Sequence, residues 1–131
     1  MPGRSYTAQI AICVIVGGSS GCVLRWWFGL SFNALFPGMP FGTLLVNLIG
    51  GFVIGGAMAF FMRWPNLDPA WRLLITTGFC GGLTTFSTFS AEVLSMLMHG
   101  RFGWAAATVS AHVLGSLLMT FAGFALVRWL G

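Results

Sequence analysis

Residues 85–90 read Thr-Phe-Ser-Thr-Phe-Ser, a triplet written twice. On a helix, a period of three sets Phe86 and Phe89 on nearly one face, one turn apart, with Thr85 and Thr88 as a neighbouring hydroxyl row. The edge of a phenyl ring carries positive potential, so two rings presenting edges to a pore attract a small anion without trapping it. An arginine would hold the ion harder, whereas conduction needs sites weak enough to leave. Plain packing is the commoner use of phenylalanines at helical spacing. Here the flanking hydroxyls of Ser87, Thr88 and Ser90 weigh against it.

The other polar groups of this apolar chain are few. Asn47 is the one side-chain amide in a run of aliphatics, with Thr43 a turn earlier on the same face. An unpaired buried amide is costly, so Asn47 either ties helices together or lines a wet path. Thr108, His112, Ser116 and Thr120 recur at every fourth position, which makes a polar stripe down a helix and suggests a track of donors. Glu92 is the only acid placed within membrane depth, and such a group is a functional candidate by default. Its possible partners are His112 or a hydroxyl. No nucleophile with its base, no carboxylate pair and no zinc-type cluster can be assembled, so an enzyme is excluded. Cys13, Cys22 and Cys80 lack metal or redox spacing and read as small buried apolar residues.

These residues must be positioned by elements that live in lipid. The chain has 131 residues, of which 57% are hydrophobic and 6% charged, and its mean hydropathy is +0.91. Soluble domains carry about 25% charged residues. The net charge of +4 comes from scattered arginines at segment ends and forms no nucleic-acid patch. Four stretches lack charge for long enough to cross a bilayer as helix. The expected fold is all-α and integral to the membrane, one domain over 1–131, with spans at about 7–28, 41–62, 72–98 and 102–128. The first span is not expected to be a cleaved signal, because its apolar run continues into the interfacial anchor Arg25-Trp26-Trp27-Phe28.

Within the third span, Gly78, Gly81 and Gly82 followed by Thr84 and Thr85 predict a break near 78–85, at the span's centre. A break at membrane depth is tolerated only where it is buried in protein or lines a wet cavity. It exposes free carbonyls to a cation at one half-helix end and free N–H groups to an anion at the other. Nineteen glycines, with GxxxG pairs at Gly17/Gly21 and Gly51/Gly55, predict close helix contacts. Four helices cannot by themselves enclose a polar path sealed from lipid, so a homo-oligomer is expected, a dimer above all. Arg4, Arg63, Arg72 and Arg128 face one side against Arg25 and Arg101 on the other. This small excess is a weak topological instruction and permits antiparallel assembly.

Together, Gly17-Gly18-x-x-Gly21-x-x-x-Arg25-Trp26, Gly42-Thr43-Leu44-x-x-Asn47 and the long run Gly78 to Ser90 resemble the bacterial CrcB proteins, also called Fluc fluoride channels. The resemblance covers essentially the whole chain. It implies an antiparallel, dual-topology homodimer with two pores that pass fluoride selectively and passively out of the cell across the bacterial inner membrane. It also implies that Phe86 and Phe89 line the pore, that Asn47 donates to the ion, and that Ser87, Thr88, Glu92, His112, Ser116 and Thr120 form a polar track. Arg25 and Thr43 would be secondary contributors. A structural Na+ would lie at the dimer centre, held by backbone carbonyls of Gly81 and Thr84 and their symmetry mates. Two rival readings are a proton-coupled exporter of the small four-helix type and a non-transporting assembly subunit. The first lacks the first-span glutamate such exporters use, and the second leaves the polar stripe without purpose.

Overall fold

The computed structural model describes residues 3–131; Met1 and Pro2 lie outside the described residues. The regular structure of these residues is all helical, with no strand among them. Helix α1 runs Arg4–Phe32 and α2 Phe41–Arg63; α3, Pro69–Arg72, leads into a π-helical stretch, Leu73–Cys80. Then come a short α4, Gly81–Leu83, followed by α5, Phe86–Met98, and α6, Phe102–Leu130. Helices α1, α2 and α6 are each long and apolar enough to cross a membrane unaided. The stretch expected as the third span is made of three consecutive pieces, the π-helical stretch, α4 and α5.

The burial pattern is that of a protein dissolved in lipid. On α1 the buried residues are Gly17 and Gly21, while Ile12, Ile15 and Val23 are exposed. On α6 the buried set is Ala105, Thr108, His112 and Gly123, while Leu114, Leu117, Leu118 and Phe121 point outward. Small and polar residues inside with large apolar ones outside invert the soluble pattern. The chain is a multi-pass membrane protein.

Two helix pairs make the core: α2 lies along α6, and α1 lies along the π-helical stretch and α4. Both seams depend on glycine. A Cβ on Gly55 would collide with the Thr120 carbonyl, and one on Gly21 with the Phe79 carbonyl. Gly82 meets the Gly18 carbonyl in the same way. Close backbone approach is what association in lipid requires, since the tails offer no hydrophobic drive. The π-helical stretch sits where α1 presses hardest, and the wider i→i+5 turn lets the Gly78 backbone approach Gly17.

Past α4 the backbone leaves the helix. Thr84 (φ −85°, ψ 157°) and Thr85 (φ −151°, ψ 124°) are both extended, and helix resumes at Phe86. Gly78, Gly81 and Gly82 stay helical; Gly78 and Gly82 serve the seam with α1, Gly81 is exposed, and the interruption falls on the two threonines. The side chain of Thr85 then caps α5, accepting the Thr88 N–H at 3.1 Å.

Candidate functional site

Two extended residues inside a membrane protein release backbone groups that must find partners. Asn47, carried to this level by α2, takes both polar groups of Thr85. Its Oδ1 accepts the Thr85 N–H at 2.8 Å, and its Nδ2 donates to the Thr85 carbonyl at 3.0 Å. These two bonds fix which amide atom is oxygen and which is nitrogen. The second Nδ2 hydrogen points to His112 Nδ1 at 3.0 Å. Because Nδ2 only donates, His112 Nδ1 must accept, and the ring proton resides on Nε2. Of the two roles open to Asn47, this conformation gives it the tie between helices.

His112 is 4% exposed, and its Nε2 is buried without a hydrogen-bond partner among the described residues. Its ring stacks on Phe89 with centroids 4.4 Å apart, and Phe89 meets Phe86 edge-on at 5.5 Å. The two phenylalanines share a face as their spacing predicts but differ in surroundings. Phe89 is 6% exposed and Phe86 78%. Both line a cleft of ≈ 500 Å³ with Asn47, Gly81, Thr84, His112 and Ser116.

One turn beyond Phe89, the Thr43 hydroxyl donates to Glu92 Oε1 at 2.6 Å. Glu92 Oε2 is buried with no partner among the described residues. The partner of Glu92 is therefore a hydroxyl, the second of the two expected from sequence. Thr43 is oriented in turn by Asn33, whose Oδ1 accepts the Thr43 N–H at 3.1 Å. Asn33 reads as a turn former in the sequence, and its target ten residues on has no local signature.

The stripe on α6 divides. Thr108 donates to the Trp104 carbonyl and lies 3.3 Å from Met96 Sδ, and Thr120 donates to the Ser116 carbonyl. Such back-bonding engages the hydroxyl hydrogen on its own helix. His112 and Ser116 face the cleft. Ser87, on the exposed side of α5, lies 3.4 Å from the Thr85 hydroxyl. Thr88 lines a second basin of ≈ 340 Å³ together with Thr43, Thr85, Asn33 and Arg25.

Arg25 does more than anchor α1 at an interface, since its Nε donates to the Gly82 carbonyl at 3.0 Å. The side chains thus select which carbonyls of the interruption stay free. Gly82 is taken by Arg25 and Thr85 by Asn47. The Gly81 carbonyl loses its helical donor because the Thr85 N–H turns to Asn47. The Thr84 carbonyl loses its own because the Thr88 N–H turns to the Thr85 hydroxyl. Among the described residues no hydrogen bond replaces either donor. No group of three His, Cys, Asp or Glu able to hold a metal occurs among the described residues.

The chain matches the family described as CrcB-like protein, Camphor Resistance (CrcB), over residues 12–124. It is 57% identical over 119 residues, 91% of this chain and 95% of the relative, to the fluoride-specific ion channel FluC of Erwinia tasmaniensis. The protein of the same name from Pseudomonas aeruginosa is 56% identical over 91% of this chain and 94% of its own. That of Pectobacterium atrosepticum is 58% identical over 90% and 93%. These relatives are named as channels and not as enzymes. By the span of the family match and the level of identity, the chain belongs to the CrcB-like protein family.

Proposed function

We propose that this chain is a passive, selective fluoride channel that works as an antiparallel, dual-topology homodimer with two pores. It would sit in the bacterial inner membrane and lower cytoplasmic fluoride. The observation that carries this reading is the buried Nε2–H of His112, without a partner among the described residues, beside the Phe86–Phe89 pair. A buried donor without a partner calls for an explanation, and a passing anion supplies one.

Fluoride is small and strongly hydrated, so a path must replace its water with N–H, O–H and aromatic C–H donors. The Phe86 and Phe89 edges and His112 Nε2–H would take the ion at the centre. Asn47 would reach it with the N–H now lent to His112. Ser87, Thr88, Ser116 and Thr120 would follow as hydroxyl donors, and the Thr43–Glu92 pair would lie at the outer end of the track. The donor set favours a small anion. The choice of fluoride leans on the relatives' names.

The freed carbonyls of Gly81 and Thr84 suit a hard cation such as Na+, because unwound backbone in membrane proteins commonly coordinates it. Paired across a dimer axis, these carbonyls from two copies would hold one structural Na+, which would neutralise the gathered carbonyl dipoles and fix the two interruptions together. Gly81 is exposed in the single chain, as a residue meeting a partner copy must be.

Purified protein in liposomes should release fluoride rapidly and chloride negligibly, and Phe86→Ile or Phe89→Ile should suppress the release. Equal release of the two ions would overturn the proposal.

A further inference from the structure

Beneath the loop joining α1 to α2 lies a cavity of ≈ 210 Å³ whose lining includes Asn33, Met39, Glu92, Ser95 and Arg101. Arg101 is held over it by backbone geometry. Gly100 has φ 71°, a left-handed conformation that costs a glycine nothing and turns the chain sharply after α5. The Arg101 N–H then returns to the Met96 carbonyl at 2.8 Å. Its guanidinium donates to the Gly38 carbonyl at 2.9 Å and the Pro37 carbonyl at 3.3 Å, while Trp104 packs against Gly38. These acceptors are neutral, so the bonds fix the guanidinium in place without cancelling its charge.

The same cavity receives Glu92, whose Oε2 has no donor among the described residues and whose Oε1 is tied to Thr43. Asn33 lines both this cavity and the basin that holds Arg25, Thr43, Thr85 and Thr88. Asn33 and the Thr43–Glu92 bond thus lie at the boundary between the two spaces. We propose that the two form one polar route from the α1–α2 loop to the interruption and that the cavity is its outer anion site, where Arg101 collects a small hydrated anion and offsets the repulsion of Glu92. At about 30 Å³ per water, the space accommodates one halide with a few waters. Used in this way it rests on the channel reading above, with fluoride as the anion.

Two measurements separate this site from that reading. In liposomes at low fluoride and low ionic strength, Arg101→Gln should slow fluoride release by about ten-fold, a typical gain from electrostatic steering, and the difference should shrink in high salt. Arg101→Lys, which keeps the charge and loses the paired bonds, should restore most of the rate. Independently of conduction, Ser95→Cys should react faster with a sulfonate-bearing methanethiosulfonate than with its ammonium counterpart, after subtraction of the parent chain's own cysteines. Adding Arg101→Gln should erase that preference. A preference unchanged by Arg101→Gln, or release equally fast in Arg101→Gln and the parent, overturns the site. A lost preference in a chain that releases no fluoride keeps the anion site and overturns the channel.

Discussion

Asn47 commits both amide hydrogens and its oxygen to three targets, the two backbone groups of Thr85 and the ring of His112. Its importance is legible in sequence because a lone amide among aliphatics needs partners. Which partners it finds is not, because Thr85 and His112 are 38 and 65 residues away. Asn47→Ala leaves two backbone groups unpaired at about 1–3 kcal/mol each, so a loss of roughly 3 kcal/mol is expected in detergent unfolding, together with fluoride release. Asn47→Asp keeps the acceptor for the Thr85 N–H but sets a carboxylate against the Thr85 carbonyl and the His112 Nδ1 acceptor, so it should cost no less stability than Asn47→Ala. His112→Phe preserves a ring stacked on Phe89 and removes only the Nε2–H and the Nδ1 acceptor. It should fold, as judged by an unchanged elution volume, and release fluoride much more slowly. Release at the parent rate would remove His112 from the pathway. In sequence Arg101 is only a segment-end charge, because its bonds to the loop carbonyls depend on a turn at Gly100 that no spacing encodes.

Among the elements, α1, α2 and α6 were legible because an uninterrupted apolar run of sufficient length has few other uses. The composite span was legible only as a region. Its glycines mark it, but they remain helical, with Gly78 and Gly82 packed on α1, while Thr84 and Thr85 carry the extended backbone. The π-helical turns of Leu73–Cys80 left no sequence signal at all, being a response to how closely α1 approaches. The glycines can be told apart by experiment. Gly55→Ala drives a methyl into the Thr120 carbonyl and should cost about 1–3 kcal/mol, the usual range for overpacking, whatever its gain in helix propensity. Gly103→Ala, on α6 with nothing near its Cβ, should be neutral or stabilising by up to about 1 kcal/mol. Thermal aggregation in detergent reads both. If the two substitutions behave alike, the α2–α6 seam is not set by backbone approach.

For the molecule as a whole, composition was enough to place it in lipid, and the inverted burial of α1 and α6 is the structural counterpart of that composition. Composition does not tell which outward apolar residues face lipid and which face protein. Phe86 shows the difficulty, since at 78% exposure it would be an idle side chain in a monomer. In the proposed dimer the partner copy covers it, and the cleft it lines becomes closed. Phe86→Ala, a substitution at an exposed position of the single chain, would then weaken the dimer measurably. Without a partner it should change stability by less than about 0.5 kcal/mol, as exposed sites usually do. The freed Gly81 and Thr84 carbonyls carry the same logic further, because oxygens gathered from two copies repel one another unless a cation lies between them. Replacing Na+ on both sides of the liposome with a bulky organic cation should therefore slow fluoride release and raise the dissociated fraction of a dilute dimer. Returning Na+ should reverse both changes. A carbonyl cannot be removed by mutation, so Thr84→Ser serves as the control that keeps the backbone and its hydroxyl bond to the Cys80 carbonyl while taking away the methyl packed on Gly50. If release and dissociation ignore sodium in both proteins, the interruption holds no cation, and its free carbonyls serve the pore water instead.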